Sequence, residues 1–349
     1  MVQRRPLVSV VTPVYNGEKY LAECIESVLD QTYPNWEYII LNNCSTDNTL
    51  EVAEEYATRD KRIKIISNQD FLKQIPNWNE ALRKISPDSK YCKVIHADDW
   101  ITPECLQKMV TRAEQYPSAG IISAYRFIGS KVSGVRGEGL SYDTKFLPGD
   151  ETVRKDMKTS LYLFGTPSSI LYRSDLIRER KSFYNPGVVH ADADICYDIL
   201  RRSDFAFVHQ LLSFTRMHDE STTTFCNYYH TYSLFNIYVI KEYGNHYLTE
   251  EEYNRLLSKK ISDHHHALVK IMFNGRNKTV WEYHKSELKK MGIRIQPYIL
   301  LKAFIYRLVK IKPLVKWLLY TIKKLANSNQ NGLNKIEKKK ENTVAKEAE

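Results

Sequence analysis

The chain has 349 residues, is 43% hydrophobic and carries 13 Gly and 12 Pro, which excludes collagen-like and low-complexity classes and allows two domains or one large α/β domain with appendages. Its net charge of +10 is uneven: from Tyr298 onward 12 Lys or Arg face 4 Asp or Glu, so +8 lies in the tail and about +2 in the first 297 residues. A nucleic-acid-binding globule is therefore not expected, and six cysteines without a CxxC pair read as buried thiols of a reducing compartment rather than a disulfide framework or zinc site.

Taken in chain order, the first 130 residues alternate between strand and helix signals. Leu7–Pro13 is a nearly continuous apolar run, which suits a strand buried on both faces of a parallel sheet. Glu18–Gln31 carries apolar residues at 21, 25, 28 and 29, the spacing of an amphipathic helix. A strand at Glu37–Leu41, a helix at Asp47–Arg59, a strand at Ile63–Ser67, a short helix at Pro76–Lys84 and a strand at Tyr91–Ala97 follow. Pro103–Tyr116 reads as a helix and Gly120–Phe127 as a strand. Strands separated by helices predict right-handed crossovers and a doubly wound, mostly parallel sheet with flanking helices. Ligands in such sheets bind outside the carboxyl ends of the strands. Those ends read "PVYNGE", "LNNCSTD", "SNQD" and "HADD", so the polar and acidic residues gather on one edge.

Beyond this region, Gly129–Asp150 reads as a loop or flap, and residues 151–225 return to mixed structure with a helix near Asp192–Ser203 and a strand at Phe205–Val208. Residues 226–290 read as helical, and residues 326–349 as a disordered tail rich in Asn, Lys and Glu. Repeats are absent, and neither GxGxxG nor GxxxxGK[ST] occurs, which removes the dinucleotide and P-loop readings.

The stretch "YCKVIHADDWITP" sets two adjacent carboxylates, Asp98 and Asp99, straight after a strand. Like charges side by side repel, and a fold keeps them where a divalent cation sits between strand end and substrate. The alternative is a solvated turn in which Asp99 or Thr102 caps a helix starting at Pro103.

"VSVVTPVYNGEKYLAECIESVLDQTYPNWEYIILNNCSTDNT" followed by "HADDWITPECL" closely resembles family 2 glycosyltransferases, inverting enzymes with a GT-A fold, over roughly Leu7 to His218. The resemblance implies a nucleotide-sugar-binding half at residues 1–128, an acceptor-binding half at 129–225, and C-terminal helices at 226–325. It assigns Pro13 and Tyr15 to base and ribose contacts, with Asn43 and Asn79 also on the nucleotide-sugar side. Asn42-Asn43-Cys44-Ser45 stands where the family usually reads Asp-Asp-Gly-Ser, so Asn43 offers an amide carbonyl to the base. Uridine is the first expectation, with guanosine and thymidine open.

Asp98 and Asp99 match the minimal acidic motif, with His96 where a further Asp is common. The family pattern puts Mn²⁺ or Mg²⁺ on Asp99 and Asp98 toward ribose or sugar; His96 is expected to be a packed histidine, since alternation places it on the opposite face from Ala97, with a metal ligand as the alternative. In "VVHADADIC" Asp192 matches the base that deprotonates the acceptor hydroxyl, Asp194 is the runner-up, and Ala191 replaces a usual Glu. Arg216 and His218 match an element in which Arg neutralises phosphate and His approaches the metal. Thr166, Ser168 and Ser169 of "GTPSSI" fall in the acceptor-side segment, and His264–His266 reads as surface sequence because consecutive helical residues diverge.

Residues 298–325 place Leu300, Phe304, Leu308, Ile311, Val315, Leu318 and Ile322 on one side of a helical wheel, with Lys302, Lys316, Lys323 and Lys324 opposite. A basic helix lying on an anionic membrane surface is expected, the alternative being a helix packed on the catalytic domain. The apolar stretch Leu7–Val14 is too short for a secretory leader, so the expected location is cytoplasmic, peripheral on the inner membrane face. The expected activity is metal-dependent transfer from a nucleotide sugar to a saccharide or lipid-linked acceptor in cell-surface polysaccharide or glycolipid synthesis. The missing carboxylates at 42, 43 and 191 leave a catalytically silent nucleotide-sugar binder or scaffold as the alternative.

Overall fold

The computed structural model describes residues 5–130, 134–137, 139–161, 163–218, 222–273, 278–307 and 309, in two units divided after Lys260. In the first unit, β1 (Val8–Val14), α1 (Leu21–Leu29), β2 (Trp36–Asn42), α2 (Thr49–Arg59), β3 (Ile63–Ser67), α3 (Gln74–Leu82) and β4 (Tyr91–Val94) alternate as the apolar pattern predicts. Next come β5 (Trp100–Ile101), α4 (Cys105–Gln115), β6 (Ala119–Gly129), β7 (Gly134–Arg136), β8 (Phe146–Leu147) and α5 (Gly149–Thr159). A 3₁₀ turn at Pro167–Ser169 leads into β9 (Ile170–Arg173), α6 (Ser174–Arg178), α7 (Ala191–Ile199), β10 (Asp204–Arg216), α8 (Thr222–Tyr229) and α9 (Thr231–Tyr247). Helix α10 covers Glu250–Phe273, and α11 (Lys278–Lys290) belongs to the second unit.

The strands form one sheet in the order β3-β2-β1-β4-β9-β6-β10-β5, with β7 beside β6 and β8 beside β10. β3, β2, β1 and β4 are mutually parallel, and so are β6 and β10. Between these two blocks lies β9, antiparallel to both β4 and β6, a strand the apolar pattern does not announce. Its four residues are too few to show a period. The flap region also differs from expectation, since β7 and β8 fall within it.

Every residue of β1 and β2 is buried, and alternate side chains face opposite layers. Val10, Tyr38 and Ile40 pack with α1 and α4 on one side, through Ile25, Leu106 and Met109. On the other, Val11, Ile39 and Leu41 pack with α3, α7 and α9, through Leu82, Ile195 and Ile240. This three-layer core fixes the carboxyl edge of β1, β2 and β4, and α9 holds α7 with its acidic first turn in place. All six cysteines carry free thiols, and five are buried.

In the second unit His264 and His265 are fully buried, which corrects the surface reading of that run; His266 alone of the three is exposed. His265 accepts from the Gln296 backbone N–H at 3.1 Å through Nε2. Residues 297–307 are helical and expose Leu301, Phe304 and Ile305. Leu308, and the expected stripe and tail from residue 310 on, lie outside the described residues. No helix among the described residues is long and apolar enough to cross a membrane.

Candidate active site

β4 ends at Val94, and the chain turns so that Asp98 and Asp99 stand at the carboxyl edge of the sheet. Asp99 is 3% exposed, and burial together with the neighbouring Asp98 charge pushes its carboxyl up to about 8. It accepts the Arg216 backbone N–H at 2.9 Å and a hydroxyl hydrogen bond from Ser168. Asp98 meets His218 Nε2 at 2.9 Å through Oδ2.

The His96 ring packs on Trp78, with centroids 4.5 Å apart, as a packed histidine should. It also faces the acidic pair: one ligand atom each from His96, Asp98 and Asp99 lie within 4.8 Å of one another. His96 Nε2 is buried without a hydrogen-bond partner. Two carboxylates, one of them deeply buried, and an unpartnered imidazole nitrogen form a donor set that fits a divalent cation.

Arg216 serves this edge structurally. Its Nε donates to the Asp98 carbonyl at 2.9 Å, its guanidinium pairs with Glu23, and it lies 4.5 Å over the Tyr20 ring. Behind the pair, fully buried Lys93 donates to the carbonyls of Ser168 at 2.6 Å and Ile170 at 3.2 Å. Ser168 Oγ in turn accepts the His96 N–H at 3.1 Å, so Lys93 anchors the 168–170 segment against the acidic edge.

The nucleotide-side expectations divide. Pro13 is buried within β1, while Tyr15, just past the strand end, is 47% exposed and meets exposed Phe71 edge-on at 4.8 Å. The two rings make a platform of the kind that stacks on a heterocycle. Asn43 is buried, and its carbonyl already accepts from Asn68 Nδ2 at 2.8 Å and the Leu72 N–H at 2.9 Å. Its amide donates to the Leu72 carbonyl at 2.7 Å, so Asn43 clasps the 68–72 loop under the platform instead of presenting a free acceptor to a base. Asn79 is corrected more fully. It donates to Ser182 Oγ at 2.9 Å and the Tyr184 carbonyl at 2.8 Å and accepts the Tyr184 N–H at 2.8 Å, which makes it a clamp on residues 182–184.

On the far side of the sheet centre, Asp192 stands in the first turn of α7 and lines a cavity of about 350 Å³ with Arg126, Arg136, Thr166, His190 and Tyr232. Burial raises the Asp192 carboxyl, against backbone N–H bonds at the helix start and the Arg126 charge. Asp194 faces elsewhere: its Oδ1 accepts from Tyr243 at 2.7 Å and Tyr238 at 3.0 Å. Ser169 closes the 3₁₀ turn on the Thr166 backbone, leaving Gly165 and Thr166 as the members of "GTPSSI" that line the cavity.

Arg126 is the residue that sequence reasoning missed. It sits in β6, and burial lowers its guanidinium to about 10, partly offset by the Tyr232, Asp192 and Asp99 charges. One side chain thus feels both Asp99 and Asp192, although 93 positions separate them. The signal available was a lone arginine inside the apolar run "IISAYRFIG".

The family model described as Glycosyl transferase family 2 matches residues 9–180. An uncharacterized glycosyltransferase of Haemophilus influenzae is 33% identical over 64% of this chain and 69% of its own length. The putative teichuronic acid biosynthesis glycosyltransferase TuaG of Bacillus subtilis is 34% identical over 32% of this chain, which spans 43% of TuaG. Among solved structures, residues 1–349 of S. aureus TarS in complex with UDP-GlcNAc superpose with a TM-score of 0.55 at 17% identity, covering 74% of this chain and 72% of that TarS fragment. The mixed sheet with its acidic strand edge is the GT-A fold, and the chain belongs to the family 2 glycosyltransferases.

Proposed function

We propose that this transferase moves a sugar from a nucleotide diphosphate sugar, first of all a UDP-sugar, to a hydroxyl of a saccharide or lipid-linked acceptor, with inversion. The observation that carries the reading is the cluster at the carboxyl edge of the sheet, where one ligand atom each of His96, Asp98 and Asp99 lie within 4.8 Å of one another. In this reading the Tyr15–Phe71 platform takes the nucleobase, and Pro13 underlies it at the end of β1.

Asp98 and Asp99, with His96, would hold Mn²⁺ or Mg²⁺, and His218 would stay on Asp98 at the rim. A cation there supplies Lewis-acid compensation for the charge that builds on the departing diphosphate. Asp192 takes the proton of the acceptor hydroxyl from the opposite side; burial raises its carboxyl and so strengthens it as a base. Arg216 acts mainly through its hold on Asp98 and Asp99, and its positive charge faces the same edge.

Synthesis of a cell-surface polysaccharide or glycolipid suits the reading, since TuaG is named for teichuronic acid biosynthesis. Peripheral binding to the cytoplasmic membrane face through the basic segment 298–325 belongs to the same proposal.

The test is a panel of UDP-, GDP- and dTDP-sugars screened with Mn²⁺ for thermal stabilisation and then for turnover, because a ligand of the native state raises its melting temperature. Stabilisation and turnover by one donor class, both lost in Asp99→Ala, are expected. Tight nucleotide binding with no turnover on any donor and acceptor would instead favour a silent binder.

A further inference from the structure

β7 runs antiparallel to β6 with Arg136 directly opposite Arg126. Residues paired this way share one face of the sheet with Cβ atoms about 5 Å apart, and like charges there repel. Both side chains line the cavity that holds Asp192.

Arg126 Nε and Nη1 are buried with no hydrogen-bond partner, although a guanidinium carries five donors. Asp192 and Asp99 lower its charge cost from a distance, while Arg136 raises it. Among the described residues, Arg136 bonds only the adjacent Val135 carbonyl through Nη1. Space is kept open beside the pair: Gly165 has a φ of +86°, and a Cβ there would come within 2.9 Å of Arg126 Nη1. A guanidinium with two buried, unpartnered nitrogens facing a second cation is costly, and two forks side by side match the oxygens of a carboxylate or phosphate.

We propose that Arg126 and Arg136 bind an anionic group, a carboxylate or a phosphate, on the acceptor saccharide, so that this enzyme extends an acidic sugar chain. The assignment to the acceptor rests on Asp192 as the base that meets the acceptor hydroxyl, because both arginines line the same cavity as Asp192. Thr166 and Asn227 on the cavity wall offer hydrogen bonds to sugar hydroxyls, and Phe235 offers an apolar surface.

The full chain is titrated with methyl β-glucuronide, methyl β-glucoside and glucose 6-phosphate, each with and without saturating UDP and Mn²⁺. Wild type should bind at least one anionic probe about tenfold or more tighter than the neutral glucoside. Preference for the glucuronide identifies a carboxylate, and preference for glucose 6-phosphate a phosphate. Arg136→Gln, at an exposed position, should erase most of this preference and leave UDP affinity unchanged; Arg126→Lys, which keeps the charge but loses the fork, should do the same.

Equal binding of acidic and neutral probes overturns the proposal, as does a preference that both variants retain. It is also overturned if the variants weaken UDP instead, because the arginines would then serve the donor diphosphate. Intact UDP binding without acid preference leaves the transferase reading standing. Absent UDP binding overturns the donor reading, while the probe series without UDP still decides the acidic acceptor.

Discussion

Removing the charge of Asp99 should change how stability depends on pH. In the folded chain without metal, burial and Asp98 push this carboxyl from an ordinary 3.8 to about 8. Below pH 4 both folded and unfolded states hold the proton. Between pH 4 and 8 the unfolded chain releases it and the folded chain keeps it, so stability falls as pH rises, by roughly 1.4 kcal/mol per unit. From pH 6 to 8 the loss is on the order of 2 kcal/mol, a drop in melting temperature of about 4 °C or more. Asp99→Asn keeps the shape and the acceptor for the Arg216 N–H but has nothing to titrate. Thermal scans in EDTA at pH 6, 7 and 8 should show the wild type falling relative to the variant. With Mn²⁺ the gap should close as pH rises, because a cation favours the ionised carboxylate, and Mn²⁺ should do little for the variant. Parallel curves for the two proteins, with and without Mn²⁺, would refute the reasoning.

Other expectations follow from single contacts. Asp192→Asn should lower kcat by about 10²–10⁴ with UDP affinity unchanged, whereas Asp194→Ala, which removes the acceptor of two tyrosine hydroxyls, should lower the melting temperature and leave kcat within a few fold. Asn79→Ala should cost about 2 kcal/mol or more in urea unfolding, because the Tyr184 N–H loses its partner and the Tyr184 carbonyl one of its two donors, and should not alter nucleotide affinity per folded molecule. Gly165→Ala should cost about 1–3 kcal/mol from its left-handed backbone alone. The added Cβ, which would clash with Ser169 Oγ, should also displace Arg126 and lower turnover more than UDP binding.

Much of the first half of the fold was legible because parallel strands buried on both faces leave unbroken apolar runs, as in β1 and β2. The acidic strand edge was legible for a related reason: Asp98 and Asp99 interrupt such a run where a core cannot accept them unaided. β9 was not, since its placement between β4 and β6 follows from the crossover geometry and not from any pattern in four residues.

The asparagines illustrate a second limit. Asn43 and Asn79 stand where a nucleotide contact is expected, yet their partners Leu72 and Tyr184 lie 29 and 105 positions away, beyond any local reading. His96 shows another limit, because strand alternation favours a packed ring over a ligand, while the structure packs the ring on Trp78 and also sets a ring nitrogen near Asp98 and Asp99. Arg126 was legible only as an anomaly, a charge in an apolar strand. Its meaning required β7 to put Arg136 opposite and α7 to bring Asp192 alongside.

The most direct measurement is an anomalous difference map from crystals of the chain grown with UDP and Mn²⁺. The account predicts one manganese peak bound by Asp98, Asp99 or both, near His96, touching the diphosphate and with Tyr15 against the uracil. UDP bound with its phosphates away from this edge, or manganese held by other residues, would contradict it.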